Sequence, residues 1–217
     1  MKQLSRDALH RVAPLFAGMP RSVPLDGVLD GLHLGRVFVD DAEAPASTLV
    51  WTRWGYHYLG GEPANAAFNR ALRPLIAQTL LPASRAMGEP DMLLTVHPAD
   101  WKDVLPRIVP DPPPIQIFRR TFRLDPPVFR MRHGDWRARV PDGVTVRRID
   151  VNLVSDLRRD VEVTWPSLAD FLARGLGYVL IADGAPVCTC SAAFVARGRV
   201  EIGIKTEAPH RRRGFGL

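Results

Sequence analysis

The sequence lacks most of the features that mark secreted, membrane-spanning or zinc-binding proteins. Its two cysteines, Cys188 and Cys190, are too few to build a structural zinc site. The six histidines form no His-x-x-x-His pair, which a zinc hydrolase would need. No apolar run reaches the roughly 18 residues of a membrane span, and Arg6, Asp7 and Arg11 interrupt the positions where a signal peptide would be apolar. We therefore expect a cytoplasmic protein with reduced thiols, no metal ion and no membrane association.

Lysine is also scarce, although the chain is basic. The sequence has 29 lysines and arginines against 23 acidic residues, and only Lys2, Lys102 and Lys205 are lysines. The resulting net charge of +6 is compatible with an anionic partner such as nucleic acid or a phosphorylated cofactor. A surface that is simply rich in arginine explains this charge more simply.

Arginines cluster with phenylalanines near the middle of the chain. The arginines are Arg119, Arg120, Arg123, Arg130 and Arg132, and the phenylalanines are Phe118, Phe122 and Phe129. This pattern allows an alternative function, a non-catalytic scaffold that binds nucleic acid or a protein partner through arginine. Because the aromatics follow strand spacing, core packing explains them more simply. Nucleic acid is therefore not the expected partner.

The 20 prolines and 17 glycines predict many short elements joined by stiff turns. Residues 125–142 are rich in proline, arginine and glycine and have no sustained period, so we place a domain boundary at residue 136/137. In the first domain, 1–136, the pattern predicts helices at 4–16, 25–32, 64–81 and 100–109, and strands at 35–41, 48–53, 56–59, 92–96 and 115–123. Four aromatic residues around its second hairpin favour cross-strand packing over a small-molecule pocket, namely Trp51, Trp54, Tyr56 and Tyr58.

The second domain, 137–217, is predicted to combine helices with an antiparallel meander. A strand at 144–149 precedes helical regions at 152–163 and 165–174, and three strands follow at 178–182, 187–195 and 199–205. Asp183-Gly184 and Arg197-Gly198 are suited to tight hairpin turns between these strands. The fold class is therefore α+β, with two mixed domains and a largely antiparallel sheet.

The last stretch of the sequence carries the most chemical information. A strand with Val200, Ile202 and Ile204 on one face leads into a polar loop and then into Arg211-x-x-Gly214-x-Gly216. Glycines let the backbone approach a ligand closely, and successive amides at the start of a helix bind pyrophosphate. Glycine spacing alone is weak evidence, since many turns share it.

In this context the sequence resembles the GNAT superfamily of acyl-CoA-dependent N-acetyltransferases. Arg211, Gly214 and Gly216 match that family's Arg/Gln-x-x-Gly-x-Gly/Ala motif, which follows the fourth strand of the fold. The long strand after the Asp183-Gly184 hairpin also matches the family's order of elements. Further segments look like a bacterial subgroup with an extra GNAT-like N-terminal domain, namely Trp165, 171–177, 188–191 and 201–206, with 35–41 and Pro45-Ala46 in the first half.

The resemblance implies transfer of an acetyl group from acetyl-CoA to a primary amine of a small molecule or peptide. It implies that the cofactor is held mainly by backbone groups of Ile204, Lys205, Arg211, Arg212, Arg213, Gly214, Phe215 and Gly216. Glu201, on the strand before the motif, matches the place of a catalytic carboxylate in several members, so it is a candidate general base; a structural or substrate-binding role is the alternative. The family's usual acid is a tyrosine later in the chain, and no tyrosine follows Tyr178.

In one respect the sequence departs from the family pattern. Family members continue beyond the motif with a helix and further strands, whereas this sequence stops at Leu217. From this we expect a truncated second domain, with an open sheet edge through which the chain pairs with another copy of itself. A third hypothesis makes the first domain a non-catalytic GNAT-like scaffold that orients the substrate or forms an interface, and it predicts that residues 1–136 alone do not bind acetyl-CoA.

Overall fold

Two separate β-sheets organise the chain, one in each half. The computed structural model describes residues 1–109, 113–118 and 124–216. The first sheet has its strands in sequence order, all antiparallel except for the parallel last pair. Its strands are β1 (Lys2–Gln3), β2 (Gly35–Val39), β3 (Ser47–Thr52), β4 (Tyr56–Gly61) and β5 (Leu93–His97). The strands predicted for this part from 35 to 96 are therefore confirmed, with small shifts of their ends.

Helices cover both faces of the first sheet. A 3-10 helix (Arg6–Phe16) and α1 (Val23–Leu29) pack on one face, where Val12, Val28 and Val37 are buried together. On the other face, the helical run that begins at Ala66 and α4 (Trp101–Ile108) bury Phe68 and Trp101. Because helices cover both faces of this sheet, every residue of its central strand β3 is buried.

The helix predicted at 64–81 consists of three successive segments. They are α2 (Ala66–Leu75), a π-helical turn (Ile76–Leu80) and α3 (Leu81–Ala86). The π turn follows Pro74, which has no amide to donate and therefore disturbs the regular ladder of hydrogen bonds. The side chain of Asn65 caps the start of the run by accepting from the amide of Phe68 at 3.0 Å.

The linker region differs from the prediction. Residues 113–118 form no strand, and Ile115 and Phe118 are each 87% exposed. The strand predicted at 115–123 is therefore wrong over 115–118, and its remainder, 119–123, lies outside the described residues. Beyond it come α5 (Pro126–His133) and a short 3-10 helix (Arg137–Arg139).

The core interpretation of the phenylalanines is wrong at two of the three positions. Phe118 lies in the exposed linker, and Phe129 on α5 is 50% exposed. Phe122 lies outside the described residues. The linker also contains the boundary placed at 136/137, which lies between the two sheets and stays a prediction.

The second sheet is an antiparallel meander, as predicted. Its strands are β6 (Val144–Arg148), β7 (Gly177–Ala182), β8 (Ala185–Ala196) and β9 (Arg199–Thr206). Both hairpins have two successive residues with positive φ, Asp183 (50°) with Gly184 (76°) and Arg197 (51°) with Gly198 (73°). This is the type I′ geometry that matches the twist of paired strands.

The two faces of the second sheet differ. One face is covered by α6 (Arg158–Val161), α7 (Leu168–Arg174) and the turns around them, which bury Trp165 and Val179. On the other face Tyr178, Ile202 and Ile204 remain 47%, 52% and 57% exposed among the described residues. The regions predicted as helical at 152–163 and 165–174 thus contain one helix each, shorter than expected.

His33 joins the two halves. Its Nε2 accepts the amide hydrogen of Val195 on β8 at 2.8 Å, so Nδ1 carries the ring proton and donates to the carbonyl of Thr164 at 3.2 Å. The amide of Leu34 donates to the same carbonyl at 3.0 Å. The imidazole also lies against the rings of Trp165 and Phe194, with centroids 4.4 and 5.0 Å away.

An ion-pair cluster strengthens this junction at its solvent edge. Arg197, in the β8–β9 turn, donates to Asp30 at 2.8 and 3.0 Å and lies 3.0 Å from Asp26 on α1. α1 packs directly on β8 and β9. The guanidinium therefore ties the turn of the second sheet to the first half.

Among the described residues, no helix has the combination of length and apolar character required to traverse a bilayer.

We expect acid to weaken the His33 junction. Burial lowers the pKa of His33 below its usual 6.5, with Asp170 and Arg174 as the nearby charges. Because the neutral ring is the form that fits between Val195 and Thr164, its stabilisation is complete above about pH 6.5 and is lost as the pH falls below that value. The difference in unfolding free energy between the wild type and His33→Ala should therefore be about 2 kcal/mol at pH 7.5 and should shrink at pH 5.5.

Urea denaturation at the two pH values measures this difference. Taking the difference cancels the contribution of His57, whose pKa burial lowers to about 4. A difference that does not change with pH would contradict the assigned hydrogen-bonding role of the neutral ring.

Candidate active site

The loop after β9 carries the Arg-x-x-Gly-x-Gly motif. A 3-10 turn (Ala208–His210) ends β9, and the chain then folds back so that Gly216 lies beside Ile204 and Thr206. Arg211 anchors this return by donating from Nε to the carbonyl of Thr206 at 3.1 Å. The loop is thus held against the end of the strand by the motif's own arginine.

The loop presents a row of available backbone amides. Arg212 and Gly214 have positive φ, 62° and 82°, so the peptide planes alternate in direction as they do in anion-binding nests. Among the described residues, the amides of 212–216 make no backbone hydrogen bond. Arg212, Arg213 and Gly214 are exposed, whereas Phe215 is half-buried near His210, with ring centroids 6.3 Å apart. Within 211–216 these turns do not begin a helix.

β9 is the edge strand of its sheet among the described residues. Half of the backbone groups of an edge strand point away from its neighbour, so those of β9, including part of 203–205, are open to an extended ligand. Ile204 is exposed on one face. Pairing of this edge with a second copy of the chain stays a prediction.

Glu201 faces the same side of β9 as Gly203 and Lys205. β9 keeps a regular alternation here, because the irregularity in the β8–β9 pairing is a bulge in β8 at Ala193. The Glu201 side chain is half-buried, and no ion pair or side-chain hydrogen bond to another described residue engages its carboxylate. It therefore has the freedom that proton transfer requires.

The side chain of Lys205 forms two ion pairs. Its Nζ lies 2.9 Å from Asp160 on α6 and 3.1 Å from Glu207 in the loop. The hydrogen bond that Lys205 donates to Asp160 raises the pKa of Lys205 above its usual value. The lysine thus holds α6, the strand and the loop together.

A cavity of about 260 Å³ opens on this face of the sheet. Its floor is formed by β8 and β9 and one wall by the segment around α6. The lining residues are Trp54, Asp160, Val161, Val163, Thr164, Thr189, Ser191, Ala192, Ala193, Gly203, Ile204 and Lys205.

The bulge in β8 lines this cavity through Ala192 and Ala193. The Thr164 hydroxyl donates to the carbonyl of Ala193 at 2.6 Å, and the Trp165 indole donates to the carbonyl of Ala192 at 2.8 Å. Since His33 binds the carbonyl of Thr164, the same segment links the junction of the halves to the cavity wall. The position of the wall therefore depends on the first half.

Trp54 reaches the cavity from the first half. Its turn between β3 and β4 is held by Thr52, whose hydroxyl donates to the carbonyls of Trp54 (3.2 Å) and Tyr56 (2.6 Å). The indole passes so close to Gly203 that a Cβ there would lie 3.4 Å from it. Cross-strand packing, the expectation for the aromatics of this hairpin, is correct for Trp51, which stacks on His57 at 6.0 Å. Trp54 contacts Tyr56 of the same hairpin edge-on, with ring centroids 6.1 Å apart, and it also lines the cavity. The one sequence signal for this second contact was a large aromatic at a glycine-containing turn.

A larger groove of about 970 Å³ lies in the first half, between α2 and α4. The loop that enters it, from Gly61 to Asn65, follows β4 as the Arg-x-x-Gly-x-Gly loop follows β9. Its amides, however, form hydrogen bonds within the first half. Glu62 accepts from the amide of Ala64 at 2.8 Å, Pro63 has no amide, and the Asn65 side chain occupies the helix start. Three carboxylates, from Glu62, Asp100 and Asp103, and three arginines, Arg70, Arg73 and Arg107, line the groove, so its side chains bring no net positive charge. This groove is therefore poorly suited to a pyrophosphate.

The sequence as a whole matches the family model described as GNAT acetyltransferase over residues 13–217. The chain belongs to the GNAT acetyltransferase family. Among its relatives is the protein named "Uncharacterized N-acetyltransferase YdfB" of Bacillus subtilis (strain 168), which is 25% identical over 194 residues, covering 88% of this chain and 69% of the relative. The family match confirms the resemblance found in the sequence, and this GNAT chain is an acetyltransferase.

A solved structure shares the fold. It is a GCN5-related N-acetyltransferase-like protein from Streptococcus suis 89/1591, 22% identical, with a TM-score of 0.64 over 97% of this chain and 79% of that one. The mixed α+β, mostly antiparallel architecture of this GNAT protein is thereby confirmed. GNAT enzymes use acetyl-CoA and act on amines; no cluster of side chains able to hold a metal ion occurs within the described part of the chain.

We expect Lys205→Met to loosen the cavity wall without unfolding the protein. The ion pairs are partly exposed, so the loss of unfolding free energy should stay below about 1 kcal/mol. Hydrogen exchange of residues 158–164 should nevertheless become faster, since α6 loses its tie to β9. Lys2→Met, which removes a surface pair with Asp41 in the first half, is the matched control. Equal exchange of 158–164 in both variants would show that Lys205 does not hold this wall.

Proposed function

We propose that this chain transfers an acetyl group from acetyl-CoA to a primary amine of a small molecule or peptide, at the face of the second sheet formed by β9. The observation that carries the proposal is the loop 211–216, which follows β9, carries three arginines and, among the described residues, shows no backbone hydrogen bond from the amides of 212–216. Family membership supplies the reaction, and the loop indicates where in this chain the donor binds.

The donor would be held mainly by backbone groups. The amides of Arg212, Arg213, Gly214, Phe215 and Gly216 would bind its pyrophosphate, and the exposed guanidiniums would add positive charge around them. The edge of β9 at Ile204 and Lys205 would bind the extended arm that carries the thioester. Arg211 contributes by fixing the loop through its bond to Thr206.

Glu201 would act as the general base. An attacking amine must be neutral, so its proton passes to the Glu201 carboxylate, directly or through a water molecule. The neutral nitrogen then bonds to the acetyl carbon and gives up its second proton to water, the carbon–sulfur bond breaks, and the departing thiolate takes a proton from solvent. Backbone amides at 203–205 would polarise the acetyl carbonyl.

Gly214→Glu tests the donor site. A side chain at φ 82° is strained, and its carboxylate would repel the pyrophosphate, so calorimetric affinity for acetyl-CoA should fall at least about tenfold. The matched control is Gly184→Glu, which adds the same charge at φ 76° in a turn where no atom lies within 4 Å. The wild type should bind in the micromolar range. Equal affinity in the wild type and both variants would place the donor elsewhere, and no binding by the folded wild type would refute the proposal.

Glu201→Gln tests the base. The variant should bind acetyl-CoA as tightly as the wild type but lose about 10²–10⁴-fold in kcat. The loss should diminish at high pH, where more of the amine is already neutral. Glu43→Gln, an exposed glutamate paired with Arg11 in the first half, is the control. A kcat equal to that of the wild type across the pH profile would remove Glu201 from the mechanism.

A further inference from the structure

We propose that the amine acceptor is a small molecule with an uncharged, apolar body, and that Trp54 of the first half is the wall of the site that binds this body. The inference rests on the proposed function, because it assigns the 260 Å³ cavity beside β9 to the acceptor. It makes the first half a direct contributor to the site that selects the substrate.

Three surfaces of different origin meet at this cavity. The indole of Trp54 stands on one side, Val161 and Val163 on another, and Gly203 forms the floor between them. Glu201 lies two residues from Gly203 on the same face of β9, a distance of about 7 Å along a strand. An amine that enters the cavity is thus within reach of the proposed base, directly or through one water molecule.

The charges of the lining argue for an acceptor without a second charged group. Asp160 and Lys205 are the two charged lining residues, and they are paired with each other at 2.9 Å. The lining therefore offers no unmatched charge for the carboxylate of an amino acid or the further ammonium groups of a polyamine. The remaining polar side chains in the lining are the hydroxyls of Thr164, Thr189 and Ser191, which suit an uncharged body.

The size of the cavity argues for a small acceptor. Drug-sized ligands occupy cavities of roughly 300–1,000 Å³, and this one holds about 260 Å³. That is room for an alkylamine or a single-ring arylalkylamine. The face of an indole also attracts an ammonium ion, so Trp54 can bind the protonated amine on entry and pack against its body afterwards.

The test is a coupled assay of acetyl-CoA consumption with the 217-residue chain and four acceptors. They are 2-phenylethylamine, n-hexylamine, spermidine and a lysine-containing peptide. We expect the first two to be acetylated with the higher kcat/KM. Trp54→Ala should raise the KM for 2-phenylethylamine about tenfold, Trp54→Phe should restore most of it, and the calorimetric affinity for acetyl-CoA should stay unchanged in both.

Trp136→Ala is the matched control, because this 44%-exposed tryptophan contacts Arg137 in the linker region. Gly203→Ala supplies a second test that leaves Trp54 intact. The added methyl group would lie 3.4 Å from the indole and 3.7 Å from Ala193, so it fits without displacement but narrows the cavity. It should penalise 2-phenylethylamine more than n-hexylamine.

The outcomes separate the two proposals. Selective loss of the small apolar amines in Trp54→Ala, with acetyl-CoA binding intact, supports the inference. Efficient acetylation of spermidine or the peptide that is indifferent to Trp54→Ala overturns it and leaves the acetyltransferase function standing. Absence of acetyl-CoA binding and of any transfer overturns the proposed function and the inference with it.

Discussion

The arrangement of the whole molecule depends on one buried imidazole. His33 accepts from β8 and donates to Thr164, and it does so only as a neutral ring with its proton on Nδ1. Thr164 in turn donates to the bulged residue Ala193, so a single chain of hydrogen bonds runs from the first half to the floor of the cavity. Loss of one partner would leave other buried polar groups unsatisfied, which is costly in a low-dielectric interior. The relation between the two halves is therefore fixed by polar geometry as well as by apolar packing.

The two similar halves contribute different parts of the candidate site. Within the described part of the chain, the second half carries the loop whose amides make no backbone hydrogen bond, the edge strand β9 and Glu201. The first half has a comparable strand, loop and helix, but its loop amides are consumed by Glu62 and Asn65, and β4 and β5 are paired from Tyr56 to Gly60. What the first half contributes is position: it clamps the 160–164 segment through His33 and places Trp54 over Gly203. A hairpin turn that is held rigid by Thr52 is well suited to this task.

Much of this architecture could be predicted from the sequence because it depends on local rules. Alternation and turn chemistry located the meander, since Asp183-Gly184 and Arg197-Gly198 adopt the positive φ values that such turns require. Helical spacing located the long helical run, whereas the π turn after Pro74 depends on how the chain re-forms its hydrogen bonds. The roles of His33 and Trp54 could not be predicted, because each contacts residues more than 100 positions away and neither has a local signature. The linker prediction failed because alternation of Ile115 and Ile117 is a strand signal only where a neighbouring strand exists to pair with it.

The central claim is that this chain has one donor site, at the end of β9, and an acceptor cavity that both halves build. A crystal structure of the complex with coenzyme A tests it most directly. We predict one coenzyme A molecule, with pyrophosphate oxygens within about 3.2 Å of the amides of residues 212–216 and the thiol directed to the cavity between Trp54 and Gly203. Coenzyme A bound in the groove between α2 and α4, or bound at β9 with its thiol directed away from Trp54, would contradict this account.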